Sequence, residues 1–230
     1  MGCFITFEGP DGSGKTTQIQ GLYSTLAAAG YPVLLVREPG GTDIGDQIRA
    51  VLHDVRNVDM QANAEVLLYS ASRAQLVGQV IRPALEGGKV VLCDRYAEST
   101  MAYQGYGHQL DLGLLKAITT FATGDLRPDL IVYLDVEAEE GLRRKQKAFH
   151  EGACEWNRMD QKELAFHRRA RSGYLQLAAA EPERWLILDG MQSIQSLHHS
   201  IRKRVTRLLD GRQIRAATRG RPGRLREEVA

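Results

Sequence analysis

Gly9-Pro10-Asp11-Gly12-Ser13-Gly14-Lys15-Thr16 satisfies the pattern G-x-x-x-x-G-K-[ST] at every fixed position. An apolar run over 3–7 precedes it and helix-periodic residues over 16–29 follow. That context matters. Behind a buried strand, the glycines let the backbone fold around a polyphosphate with its N–H groups inward, and the following helix adds its positive dipole end. Lys15 supplies a mobile charge for the β- and γ-phosphates, and Thr16 a hydroxyl for Mg²⁺. Gly9, Pro10, Asp11, Gly12, Ser13, Gly14, Lys15, Thr16 and Thr17 are therefore the expected triphosphate-binding residues.

Working outward, further short apolar runs occupy 33–36, 90–93, 130–134 and 185–188, bounded by Gly, Pro or Asp. Continuous apolar runs suit strands covered on both faces, as in a parallel sheet. Helical spacing marks 63–85, 112–121 and 162–180 between them, with Gly30 and Gly87-Gly88 placed as stops. The alternation predicts a three-layer α/β fold, a five-stranded parallel sheet flanked by helices. Ligands of such sheets gather at the carboxyl ends of the strands, where functional residues are expected.

The 230 residues, 43% hydrophobic and 25% charged, suit one soluble domain over 1–210. A formal charge of +2 gives no argument for a nucleic-acid or membrane partner. Residues 211–230 carry six arginines against two glutamates without apolar periodicity, which reads as a disordered basic tail. Cys3, Cys93 and Cys154 have neither C-x-x-C pairing nor zinc-ligand spacing. The N-terminus has no signal-peptide pattern and no apolar run is long enough to span a bilayer, so a cytoplasmic address is expected.

A triphosphate loop alone fixes no reaction. The chain has no N-K-x-D guanine-reading motif. Three other segments discriminate: Arg37-Glu38-Pro39-Gly40-Gly41-Thr42 after the second run; Leu67-Leu68-Tyr69-Ser70-Ala71-Ser72-Arg73 in a helix; and Asp94-Arg95-Tyr96-Ala97-Glu98-Ser99-Thr100, continuing to Ala102-Tyr103-Gln104-Gly105. In order and spacing this set resembles the thymidylate kinases, over about residues 3 to 209. The resemblance implies ATP-dependent phosphorylation of dTMP to dTDP with Mg²⁺, in dTTP biosynthesis, on the fold of the P-loop NTPases, by a homodimer. Rival readings are another nucleoside monophosphate or deoxynucleoside kinase, or a non-catalytic nucleotide-binding regulator.

The resemblance also implies roles. Asp11 would hold the arginine of the acceptor phosphate, Arg95 would grip that phosphate, and Asp94 would stand near the metal with Thr16. Tyr69 would stack on the base, where the family mostly has Phe, and Arg73 would donate to a base carbonyl. Glu38, Pro39, Ser99, Thr100 and Gln104 would wall the acceptor, and Tyr103 would lie under the sugar. A lid over about 143–160 would deliver further cations, as phosphoryl transfer requires. Arg144 and Arg158 are its candidates, Gly12 fits the bacterial branch, and Ala148 stands where a second lid arginine is usual. For Arg143, Lys145 and Lys147 a solvated basic helix end is the competing reading. The six histidines show no pairing with a nucleophile and read as surface or satisfied residues.

Overall fold

In a computed structural model, which describes residues 2–214 and 216, the five apolar runs form one parallel sheet in the order β2-β3-β1-β4-β5. The strands are β1 (Cys3–Glu8), β2 (Val33–Arg37), β3 (Val90–Asp94), β4 (Leu130–Asp135) and β5 (Trp185–Asp189). Register aligns Phe7 with Asp94 and with Val132, so the carboxyl ends of the three central strands open on one edge.

Both faces are covered over the central strands, as their continuous apolar runs require, while on the edge strand β5 Ile187 is exposed. Cys3, Ile5 and Phe7 of β1 pack on Ile19, Leu22 and Leu26 of α1 (Lys15–Ala28). The same layer holds Leu197, Ile201, Val205 and Leu209 of α9 (Ile194–Gly211), a stripe at every fourth residue. Phe4, on the other side of β1, meets Leu76, Val77, Ile81 and Leu85. α3 (Ala62–Leu76), α4 (Arg82–Glu86) and the start of α5 (Ala97–Thr100) cover that face, with α2 (Asp43–His53) and α6 (Leu112–Thr123) packed against α3. α7 (Ala138–His150) and α8 (Leu164–Ala180) complete the helices among the described residues, none of which is long and apolar enough to cross a membrane.

The helix predicted over 63–85 is real but not uniform. Val77–Ile81 is a wide π turn before Pro83, which has no N–H to donate, and Met101–Gly107 is a second one. Such turns often sit at functional sites, and the second carries Tyr103 and Gln104.

The C-terminal boundary differs from the sequence expectation. Gly211 ends α9, Arg212 pairs with Asp129, and Ile214 packs on the core layer under α1. A side chain with core to cover holds a segment in place whatever its local charge. The remainder of the expected tail, 215 and 217–230, lies outside the described residues.

Candidate active site

The phosphate loop closes tightly because glycine allows it. Gly14 has φ +92° where α1 begins, a left-handed conformation costly for other residues. A Cβ on Gly12 would stand 2.3 Å from the Gly141 carbonyl oxygen, so the loop lies directly against α7. Lys15 is buried and folds back, Nζ donating to the Gly9 and Pro10 carbonyls, both at 2.9 Å. Burial, reinforced by Arg95, pushes its ammonium down to about 8 against the pull of Asp11. Asp11, Gly12, Gly14, Lys15, Thr16 and Thr17 line a cavity of about 690 Å³, while Gly9, Pro10 and Ser13 shape the loop without lining it.

Thr16 Oγ1 donates to Asp94 Oδ2 at 3.4 Å, bringing a hydroxyl from the start of α1 to a carboxylate at the end of β3. Two hard oxygens beside a phosphate loop suit Mg²⁺, which keeps waters and takes further ligands from phosphates. Among the described residues no cluster of three or more His, Cys, Asp or Glu side chains could hold a metal unaided.

Across the cavity stands Arg95. Its φ of +70° turns the chain out of β3, a conformation that costs about 1–3 kcal/mol outside glycine. Nη2 donates to Asp11 Oδ1 at 2.7 Å, Nη1 to Ser99 Oγ at 3.3 Å and to Tyr174 Oη at 3.4 Å. The guanidinium lies 5.2 Å from the Tyr103 ring centre. Asp11 also has Lys15 Nζ at 3.7 Å and Lys145 Nζ at 3.9 Å. Burial opposes the Asp11 charge, but Arg95, Lys15 and Lys145 outweigh it and hold the carboxyl well below the usual carboxylate range. Behind this group Glu8, fully buried at the end of β1, accepts from the Tyr96 N–H at 2.7 Å, Ser99 Oγ at 2.6 Å and Tyr174 Oη at 2.8 Å.

The third wall is α3. Tyr69 and Arg73 lie one turn apart and both line the cavity. Arg73 donates from Nε to Glu38 Oε2 at 2.7 Å, from Nη1 to Thr100 Oγ1 at 2.9 Å and from Nη2 to the Tyr96 carbonyl at 2.9 Å. A guanidinium has five N–H donors, so two remain for a ligand. Burial raises Glu38 to about 7 despite Arg73. Pro39, Ser99, Thr100, Tyr103 and Gln104 complete the wall, the Gln104 amide donating to Glu65 Oε1 at 2.7 Å.

The structure places the two lid candidates differently. Arg144 lines the cavity and is braced by Glu140 at 2.7 Å and the Gly190 carbonyl at 3.1 Å. Arg158 does not line it. Its guanidinium is 3% exposed, ion-paired with the buried Glu65 of α3 and bonded to the Leu52 carbonyl at 3.2 Å. This pairing holds the short helix Arg158–Gln161 against α2 and α3, while the buried Nη1 meets no partner.

A sequence model of the thymidylate kinase family matches residues 7–201. The chain belongs to the thymidylate kinase family. It is 55% identical to a thymidylate kinase of Roseiflexus sp. over 208 residues, 87% of this chain and 92% of that one. To the Deinococcus radiodurans thymidylate kinase it is 51% identical over 201 residues, 87% of this chain and 95% of the other. A crystal structure of thymidylate kinase from Ehrlichia chaffeensis superposes with a TM-score of 0.70 at 31% identity, covering 89% of this chain and 98% of that one.

Within this thymidylate kinase fold, several residues in or behind the cavity were not assigned from the sequence. Glu8 was legible only as a lone acid closing an apolar strand, and Glu65 only as an acid within an otherwise apolar helix. Arg49, His53 and Cys154 line the cavity because α2 and the lid converge there, which no local pattern announces. His53 corrects the view of the histidines as surface or satisfied: burial and Arg49 push its ring down to about 4, so it faces the cavity neutral.

Proposed function

We propose that this chain carries out the reaction of its family, ATP + dTMP giving ADP + dTDP, in the single cavity described above. The observation that carries the reading is Asp11, whose carboxylate touches Lys15 of the phosphate loop and Arg95 opposite at once. A donor triphosphate on Lys15 and an acceptor monophosphate on Arg95 would thus meet across one side chain, and proximity of this kind removes a large part of a bimolecular barrier.

The acceptor's phosphate oxygen bonds to the γ-phosphorus as the bond from that phosphorus to the β-bridging oxygen breaks. No protein nucleophile takes part; the work is positioning and charge neutralisation. Backbone N–H groups of the loop and Lys15 hold the donor, with Thr17 and Arg144 at its outer end. Thr16 and Asp94 would hold Mg²⁺, which when bound shields the β- and γ-phosphate charge. Arg95 orients the acceptor phosphate and is itself fixed by Asp11, Ser99 and Tyr174. Tyr69 and the two spare N–H groups of Arg73 select the base, with Glu38, Pro39, Thr100, Tyr103 and Gln104 closing around it.

We also propose that the enzyme is a homodimer through the α3–α6 face. Leu67, Leu114 and Phe121 there are 59%, 60% and 89% exposed, an apolar surface that association would cover; light scattering on the purified chain tests this.

The function is tested by ADP release with dTMP, dUMP, dCMP, UMP, AMP or thymidine as acceptor. Turnover should be highest with dTMP. Preference for another acceptor, or no acceptor-dependent ADP release, would refute the reading.

A further inference from the structure

We infer that Lys145 is the lid cation that reaches the phosphoryl group during transfer, an assignment that rests on the kinase reading above.

Each neighbouring cation has a directed hydrogen bond or an ion pair on a partner outside the gap between Lys15 and Arg95. Arg143 and Lys147 are exposed and pair with Glu140 of α7 and with Glu151 just past its end. Arg144 is held by Glu140 and the Gly190 carbonyl, and Arg158 by Glu65 and the Leu52 carbonyl. Ala148 lines the cavity but presents only a methyl group. Lys145 is different on three counts. It lines the cavity, its side chain is only 14% exposed, and its Nζ stands 3.9 Å from Asp11 Oδ2 and 3.6 Å from Asp160 Oδ2.

Those distances are too long for directed hydrogen bonds, so the ammonium is retained by charge alone. On a flexible four-carbon stem it can exchange these carboxylates for a phosphate without breaking a fixed geometry. Its place is also the right one. Asp11 Oδ1 faces both Lys15 and Arg95, so its Oδ2 points Lys145 at the region between donor and acceptor grips, where the equatorial oxygens gather charge. Asp160 is the second anchor. Burial and the Asp11 charge push its carboxyl up to about 6, against Lys145 and a bond from the Asn157 N–H. Asn157 and Asp160 cap the short helix that Arg158 pins to α3, so the fixed arginine positions the acid that stores the mobile lysine.

The test compares wild type with Lys145→Met and Lys145→Arg. Lys145→Met should lower kcat and kcat/KM together by about 10²-fold, the loss typical of one transition-state donor, while the KM values for ATP and dTMP and the melting temperature stay near wild type. Lys145→Arg should recover most of the rate, since it restores the charge. As an independent readout, Lys145→Met should bind the mimic formed by ADP, aluminium fluoride and dTMP far more weakly than wild type, yet bind ADP and dTMP alone equally well. A kcat for Lys145→Met within about threefold of wild type, or a change confined to KM, would overturn the assignment while leaving the function intact. A wild-type enzyme that fails to phosphorylate dTMP would overturn the function and the assignment together.

Discussion

Replacing Arg158 by Ala separates two accounts of the same residue. If Arg158 is a lid cation, the substitution lowers turnover and spares stability; if it is the pin seen here, the reverse holds. Its side chain and that of Glu65 are 3% and 1% exposed. Removing one member of a buried pair typically costs about 3–5 kcal/mol, because the other charge is left without compensation. Here Glu65 keeps the Gln104 amide at 2.7 Å and His108 Nε2 at 3.2 Å, which places the expected loss near the lower end, about 3 kcal/mol. For a domain of this size that is a fall of roughly 6–12 °C in Tm.

A pH signature follows from the same pair. Burial raises the Glu65 pKa, but the neighbouring His108 ring, the Gln104 amide and the Arg158 charge more than offset it and hold the carboxyl at about 2. Because this folded-state pKa is depressed, the stability it represents is present at neutral pH and fades as pH falls toward 2. Without Arg158 the carboxyl rises and can protonate under mild acid, so the Tm gap between wild type and Arg158→Ala should be wider at pH 7 than at pH 4.5. Circular dichroism melts at the two pH values, with kcat at 25 °C, measure it. Adding Glu65→Gln to Arg158→Met should recover part of the loss, since the stranded charge is then gone. An unchanged Tm with a hundredfold lower kcat would refute the structural role and return Arg158 to the chemistry.

Lys15→Ala should abolish turnover with any acceptor, whereas Arg95→Ala should weaken dTMP use and leave ATP affinity nearly unchanged, each loss being about 2.7–4 kcal/mol; calorimetry with ATP on both variants checks the division, and equal loss of ATP binding would defeat it. Glu98 is pushed up to about 7 by burial and by the Glu8 charge. A raised folded-state pKa contributes stability only at low pH, lost as pH rises through 7, so Glu98→Gln should raise Tm at pH 8 and do little at pH 5. On the proposal that the Tyr103 ring lies under the sugar, where it would exclude a 2′-hydroxyl by a clash and an unpaired polar group, Tyr103→Ala should narrow the preference for dTMP over its ribose counterpart about tenfold. The kcat/KM ratio of the two nucleotides reads it, and an unchanged ratio would leave Tyr103 with packing alone.

The sequence by itself determined the sheet, because continuous apolar runs have one sensible environment, and the phosphate loop, because glycine spacing and a lysine are local requirements of the backbone. It also placed Asp94, Arg95, Tyr69 and Arg73 at strand ends and on one helix face. It did not announce α2 or α9, whose apolar stripes are thin and interrupted by charge, nor the hold that Ile214 takes on the core. Tertiary structure alone decided which partner each lid cation meets. Arg144, Lys145 and Arg158 are equally basic in the sequence, and what separates them is the partner each meets: Glu140 beside the first, Glu65 of a distant helix around the last, and for Lys145 two carboxylates too far away to bind it tightly. Charge is a property of the residue, but its availability depends on who neutralises it, and those neighbours come from segments far away in the chain.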